Sequence, residues 1–120
     1  MRSLILSSIL LAVLALSGCY YDKEELLYPG ACDPGDATVA GYWTSTVQPL
    51  IQARCASAGC HVSGGTGPGD FTQYANVKAR VDDGAFQQVV LVQGSMPPSG
   101  SLPACDQQKL QAWINAGAPN

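Results

Sequence analysis

The chain has 120 residues, enough for one domain, with 47% apolar residues, 12% charged residues and a formal net charge of −3. That balance excludes a basic nucleic-acid-binding protein, whose hold on phosphates comes from clustered Lys and Arg. Beyond residue 18, Leu, Ile, Val and Phe number only 18 of 102 residues while Gly and Pro number 20; this composition argues against a large self-sufficient enzyme and predicts a small, loop-rich domain held by disulfides, a metal or a cofactor.

Arg2 is followed by an apolar run from Leu4 to Leu16. This is the length of a signal-peptide core and short of the ~20 residues needed to span a bilayer. The run ends in Leu16-Ser17-Gly18-Cys19, which resembles the lipobox of bacterial lipoproteins. The resemblance implies a signal peptide over residues 1–18, cleaved before Cys19, whose thiol and amine then carry acyl chains. Several acyl chains anchor a protein to the membrane without the polypeptide crossing it. The expected location is the bacterial cell envelope, on the periplasmic face or the outer-membrane surface, where thiols oxidise. The alternative is a buried core helix or an uncleaved anchor. Residues 20–28, Tyr-Tyr-Asp-Lys-Glu-Glu-Leu-Leu-Tyr, read as a solvated tether; the acidic tract also resembles export signals of some surface lipoproteins. Turn clusters at Pro29-Gly30 and Asp33-Pro34-Gly35-Asp36 complete a lipidated segment over 19–36 and start the folded domain, 37–120.

Within that domain, apolar residues at 43, 47, 50 and 51 form a helical stripe, with a break or a first-turn position at Pro49. The stretch 63–69, Ser-Gly-Gly-Thr-Gly-Pro-Gly, cannot be regular structure. Asp70 is placed to cap a helix carrying Phe71, Tyr74, Val77 and Val81, which Asp82-Asp83-Gly84 interrupts. A short helix at 85–90 followed by extended chain is expected next, then a rigid loop from Gly94 to Pro103. Pro103 fits the first turn of a last helix carrying Leu110, Trp113 and Ile114, which stops at Gly117 with Pro119 beyond it. The reading is all-α: three or four short helices joined by long loops.

The sharpest local feature is Cys55-Ala-Ser-Ala-Gly-Cys60-His61. Two cysteines followed at once by histidine point to covalent haem attachment, in which the thiols add to the haem vinyl groups and the histidine reaches the iron. The common motif has two residues between the cysteines and this chain has four. Its linker, Ala56-Ser57-Ala58-Gly59, must bulge for both thiols to face one ring edge, and small residues with a glycine make that bulge cheap. A local Cys55–Cys60 disulfide is one alternative. A zinc site is another, and would need Cys32 and Cys105 as its remaining ligands. His61 is the only histidine. Met96, 35 residues further on, is the only methionine after residue 18 and sits in the stiff polar loop Gly-Ser-Met-Pro-Pro. A methionine kept for packing belongs on an apolar helix face, so Met96 is the candidate second axial ligand.

The order of these parts resembles a class I cytochrome c, in particular the short c-type domains of periplasmic and surface lipoproteins. A helix enters Cys-x4-Cys-His, and a glycine-rich loop follows. Met-Pro-Pro comes next, then Trp113-Ile114-x-x-Gly117-Ala118-Pro119. The resemblance spans residues 43–119. It implies a small cytochrome c-like bundle around haem c, with thioethers at Cys55 and Cys60 and iron between His61 and Met96. It also implies that Trp113 packs on the helix bearing the attachment site. Cys32 and Cys105 remain and are expected to pair in an oxidising compartment, closing a loop of about 70 residues for roughly 3–4 kcal/mol. The expected function is single-electron carriage, not enzymatic catalysis. Its partners would be redox proteins of the envelope, with basic or weakly charged docking patches, and the membrane through the N-terminal lipid. The alternatives are a haem-based sensor or small redox enzyme with a labile Met96, and a haem-free lipoprotein stapled by disulfides 32–105 and 55–60.

Overall fold

The computed structural model describes residues 32–120; the expected signal peptide, the expected lipidation site at Cys19 and most of the expected tether lie outside the described residues. The described residues carry four helices and no strand. Helix α1 comprises a π-helical segment, Trp43–Val47, running directly into Gln48–Arg54. The π turn sits just before Pro49, which has no N–H to donate and whose ring crowds the carbonyl of the turn before it. The widened turn, with the Gln48 N–H reaching back to the Trp43 carbonyl, leaves room for that ring. The helix therefore passes through Pro49 without breaking.

Helix α2 is Tyr74–Asp82, and it starts later than the Asp70 cap predicts. Asp70 instead builds a turn: its carboxylate accepts the Thr72 N–H at 3.0 Å and its carbonyl accepts the Asn76 side-chain amide at 2.9 Å. Phe71 is thereby placed outside the helix, buried and facing His61. Gly84, at φ +79°, ends α2 as expected. Helix α3 is the π-helical segment Gln87–Val92, so the extended chain expected after residue 90 is absent. With no strand partner among the described residues, an extended 89–92 would leave its backbone groups unpaired. Coiled, the segment buries Val90, and Phe86 is buried at its N-cap.

Helix α4, Ala104–Asn115, has Pro103 as its N-cap rather than inside its first turn. Its end is a Schellman motif: the Ala118 N–H bonds the Trp113 carbonyl and the Gly117 N–H bonds the Ile114 carbonyl, both at 2.9 Å, with Gly117 at φ +89°. The turned-back chain is then used twice. Ala118 offers its carbonyl to the Tyr74 hydroxyl at 2.8 Å, and Pro119 offers its carbonyl to the Trp113 indole N–H at 2.8 Å.

Aromatic residues supply the core that the aliphatic count did not promise. Trp43 lies 5.3 Å from Trp113 and 5.2 Å from Tyr74, ring centroid to centroid, so the first and last helices meet through their tryptophans. Val47, Ile51, Val77 and Leu110 close around them with no accessible surface. The expected Cys32–Cys105 disulfide is present and joins the segment before α1 to the start of α4 across 73 residues. A closed loop of that length is worth about 4 kcal/mol in the chain-entropy account.

Candidate cofactor site

Helix α1 ends at Cys55, whose N–H bonds the Ile51 carbonyl at 2.8 Å. The next four residues leave the helix axis. Cys60 donates its N–H to Ser57 at 3.0 Å, Gly59 takes φ +82°, and His61 donates its N–H back to the Cys55 carbonyl at 3.2 Å. The linker is thus looped out, as the four-residue spacing requires, and Cys55 and Cys60 line the same cleft. Both are free thiols. Cys55 is buried, and that burial, helped by the neighbouring Cys60, pushes its thiol up from the ordinary 9.0 to about 11. In a haem-free chain this has a defined sign. Between pH 9 and 11 the unfolded thiol loses its proton while the folded one keeps it, so stability should fall across that window by on the order of 2 kcal/mol. Urea titrations at pH 8 and pH 11 check this, and a Cys55→Ala variant should shrink the difference without abolishing it, because burial also pushes the Tyr42 hydroxyl up and so adds a loss of the same sign.

The glycine-rich loop wraps the cysteine–histidine turn. Gly67 donates its N–H to the Cys60 carbonyl at 3.2 Å, and Thr66 donates both its N–H and its hydroxyl to Gly59, each at 3.0 Å. A methyl group on Gly65 would lie 2.0 Å from the Cys60 carbonyl oxygen, and one on Gly67 would lie 2.7 Å from His61 Nδ1. The glycines are therefore required by close approach to the site. His61 Nδ1 lies 3.3 Å from the Pro68 carbonyl oxygen. A carbonyl only accepts, so Nδ1 carries the proton and donates, and Nε2 keeps its lone pair for a ligand or proton. Phe71 stacks on the imidazole at 4.1 Å and 6°, fixing the ring plane, and its own N–H bonds the His61 carbonyl at 2.9 Å.

Met96 comes from the loop after α3. Ser95 and Met96 both donate their N–H groups to the Val89 carbonyl, at 2.9 and 3.2 Å, which hangs the methionine loop on α3. Met96 is 39% exposed. It shares with Cys55, Cys60 and His61 a single cleft of about 530 Å³, walled by Phe71, Phe86, Val89 and Val90. This volume is within the ~300–1,000 Å³ of small-molecule and cofactor sites. Among the described residues, the charged side chains on its lining are Arg54 and Arg80.

The structure thus brings all four predicted cofactor residues to one place and holds Cys32 and Cys105 apart from it in their disulfide. The zinc alternative loses its third and fourth ligands to that bridge, and among the described residues no three His, Cys, Asp or Glu side chains gather as a metal site. Sequence reading missed Phe71, Pro68, Gly67, Arg54 and Arg80 as parts of the site. Only the glycine run carried a signal, since consecutive glycines mark close backbone approach as well as a loop. No protein-family model matches the chain, and no curated protein and no solved structure matches it either.

Proposed function

We propose that this chain is a lipid-anchored monohaem c-type cytochrome that carries single electrons between redox proteins of the cell envelope. The observation that carries the proposal is the convergence of Cys55, Cys60, His61 and Met96 on one apolar cleft. A haem c fits that cleft on chemical grounds. The two free thiols of Cys55 and Cys60 would form the thioethers, the His61 imidazole, held in one tautomer, and the Met96 sulfur would ligate the iron, and the walls are apolar. Bound there, the group supplies one-electron redox chemistry at its iron.

The chain's own residues do the rest. Pro68 and Phe71 hold the His61 imidazole in one orientation, so that its Nε2 needs no rearrangement to act as a ligand. Phe71, Phe86, Val89 and Val90 give the cleft apolar walls, and an apolar lining of low dielectric would strengthen the influence of each nearby charge on a bound group. Arg54 and Arg80 are the cations on hand for the carboxylates of such a group. His61 and Met96 would hold the iron in both oxidation states, so that the transfer would be outer-sphere and call on no residue as a catalytic acid, base or nucleophile.

The test is production with cytochrome c maturation factors, followed by haem staining of a denaturing gel. Covalent haem is expected, and its absence would leave the haem-free, disulfide-stapled lipoprotein as the better reading. Exposure of Met96 favours a second reading, a sensor or small redox enzyme that opens its sixth coordination position. Met96→Ala decides between them. In an electron carrier the substitution should convert a low-spin spectrum to high-spin, lower the potential and confer carbon monoxide binding. A wild-type protein that already binds carbon monoxide rapidly would favour the sensor.

A further inference from the structure

The two arginines on the cleft are held in different ways. Arg80 pairs with Asp83 three residues along its own chain segment, at 3.0 Å, with both side chains close to half exposed. Such a local surface pair restrains a side chain little. Arg54 is as exposed, at 47%, but it pairs at 3.4 Å with Asp106, which comes from α4 and whose side chain is only 20% exposed. Asp106 follows Cys105, so the residue holding Arg54 is next in sequence to the Cys32–Cys105 bridge. Arg54 in turn precedes Cys55. It lines the cofactor cleft on one side and, on the other, a shallow groove that Asp106 also lines.

We infer that Asp106 is a positioning residue that keeps the Arg54 guanidinium at the divide between groove and cleft, and so sets how much of its positive charge the bound cofactor feels. This rests on the haem reading above. A cation near the iron favours the reduced, less positive state and raises the potential, and a carboxylate that draws the cation away lowers it. The disulfide fixes the start of α4 and with it the carboxylate. The bridge at one end of the domain therefore reaches the cofactor through Asp106 and Arg54.

The experiment is spectroelectrochemical titration of the haem-loaded protein in a double-mutant cycle. Arg54→Gln should lower the midpoint potential. Asp106→Asn should raise it, because the anion is gone and the guanidinium is released toward the cleft. In the Arg54→Gln background the same Asp106→Asn change should produce less than half that rise. Cys32→Ser, which opens the bridge and leaves both charges in place, should shift the potential in the direction of Asp106→Asn. Equal shifts from Asp106→Asn in the two backgrounds would overturn the role, since the carboxylate would then act only as a distant charge; no shift in either would do the same. A wild-type protein without covalent haem would overturn the underlying reading instead, and gel staining before the titration separates the two failures. Far-ultraviolet circular dichroism of each variant, unchanged from wild type, keeps the comparison free of unfolding.

Discussion

Trp113→Ala is expected to destabilise the domain by about 3–5 kcal/mol, the range for removing a buried large aromatic side chain. Three losses act together. The side chain has no accessible surface, so its removal leaves a cavity at the meeting of α1 and α4. Trp43 loses its aromatic neighbour at 5.3 Å. The Pro119 carbonyl loses the indole N–H that tethers the chain end after the Schellman turn. Against a total of about 5–15 kcal/mol for a domain, this is a large fraction. With a urea slope of ~1–3 kcal/mol/M, the midpoint should fall by about 2 M. Urea unfolding followed by circular dichroism measures it. Trp113→Phe separates the contributions: most of the packing is kept and the indole hydrogen bond is lost, so about 1 kcal/mol of that cost should come from the tether alone. A Trp113→Ala protein with the wild-type midpoint would show that the tryptophan pair is not the centre of this core.

The features of the fold that were legible in the sequence are those where one residue type has one physical use. Gly117 ends α4 because the position needs a left-handed backbone, and Gly84 ends α2 for the same reason. Cys32 and Cys105 were legible as a pair by what the other cysteines were already assigned to do. The illegible parts are those where a residue has two local uses. Asp70 has a side chain suited to capping a helix or to closing a turn on itself, and the turn prevails here because it faces Phe71 toward His61. Val89, Val90, Leu91 and Val92 have strand-forming side chains, but a strand needs a partner and the described residues offer no other strand. The π-helical turns have no period of their own in the apolar pattern. Pro49 marks the first of them only once its missing N–H is considered together with a stripe that continues past it.

The site was legible as four residue types and not as a geometry. Cysteine, histidine and methionine announce themselves by rarity and by their neighbours. The groups that orient the histidine are ordinary: a proline carbonyl and a phenylalanine ring. The looped-out linker shows the difference. The four-residue spacing demanded a bulge, yet the hydrogen bond that forms it, from His61 to the Cys55 carbonyl, joins two backbones and leaves no mark on residue identity.

Gly67→Ala is the substitution expected to damage the site most while leaving the core intact. The added methyl would lie 2.7 Å from Nδ1, 2.8 Å from Cε1 and 3.0 Å from Cγ of His61, so the imidazole must move. Moving it breaks the bond from Nδ1 to Pro68 and the stack on Phe71, the two contacts that fix the tautomer and plane of the ring. None of the tryptophan core is touched, so stability should fall by only about 1 kcal/mol, the net worth of one hydrogen bond. The cofactor should respond far more: in haem-loaded protein, a shifted or absent low-spin signature and a changed midpoint potential are expected, with covalent attachment retained. Gly65→Ala meets the Cys60 carbonyl at 2.0 Å, and backbone cannot swing aside as a ring can. That variant should lose attachment as well as ligation, which haem staining detects. A Gly67→Ala protein with the wild-type spectrum and potential would mean that His61 is not held as the glycine loop holds it here, and the proposed axial role would fall with it.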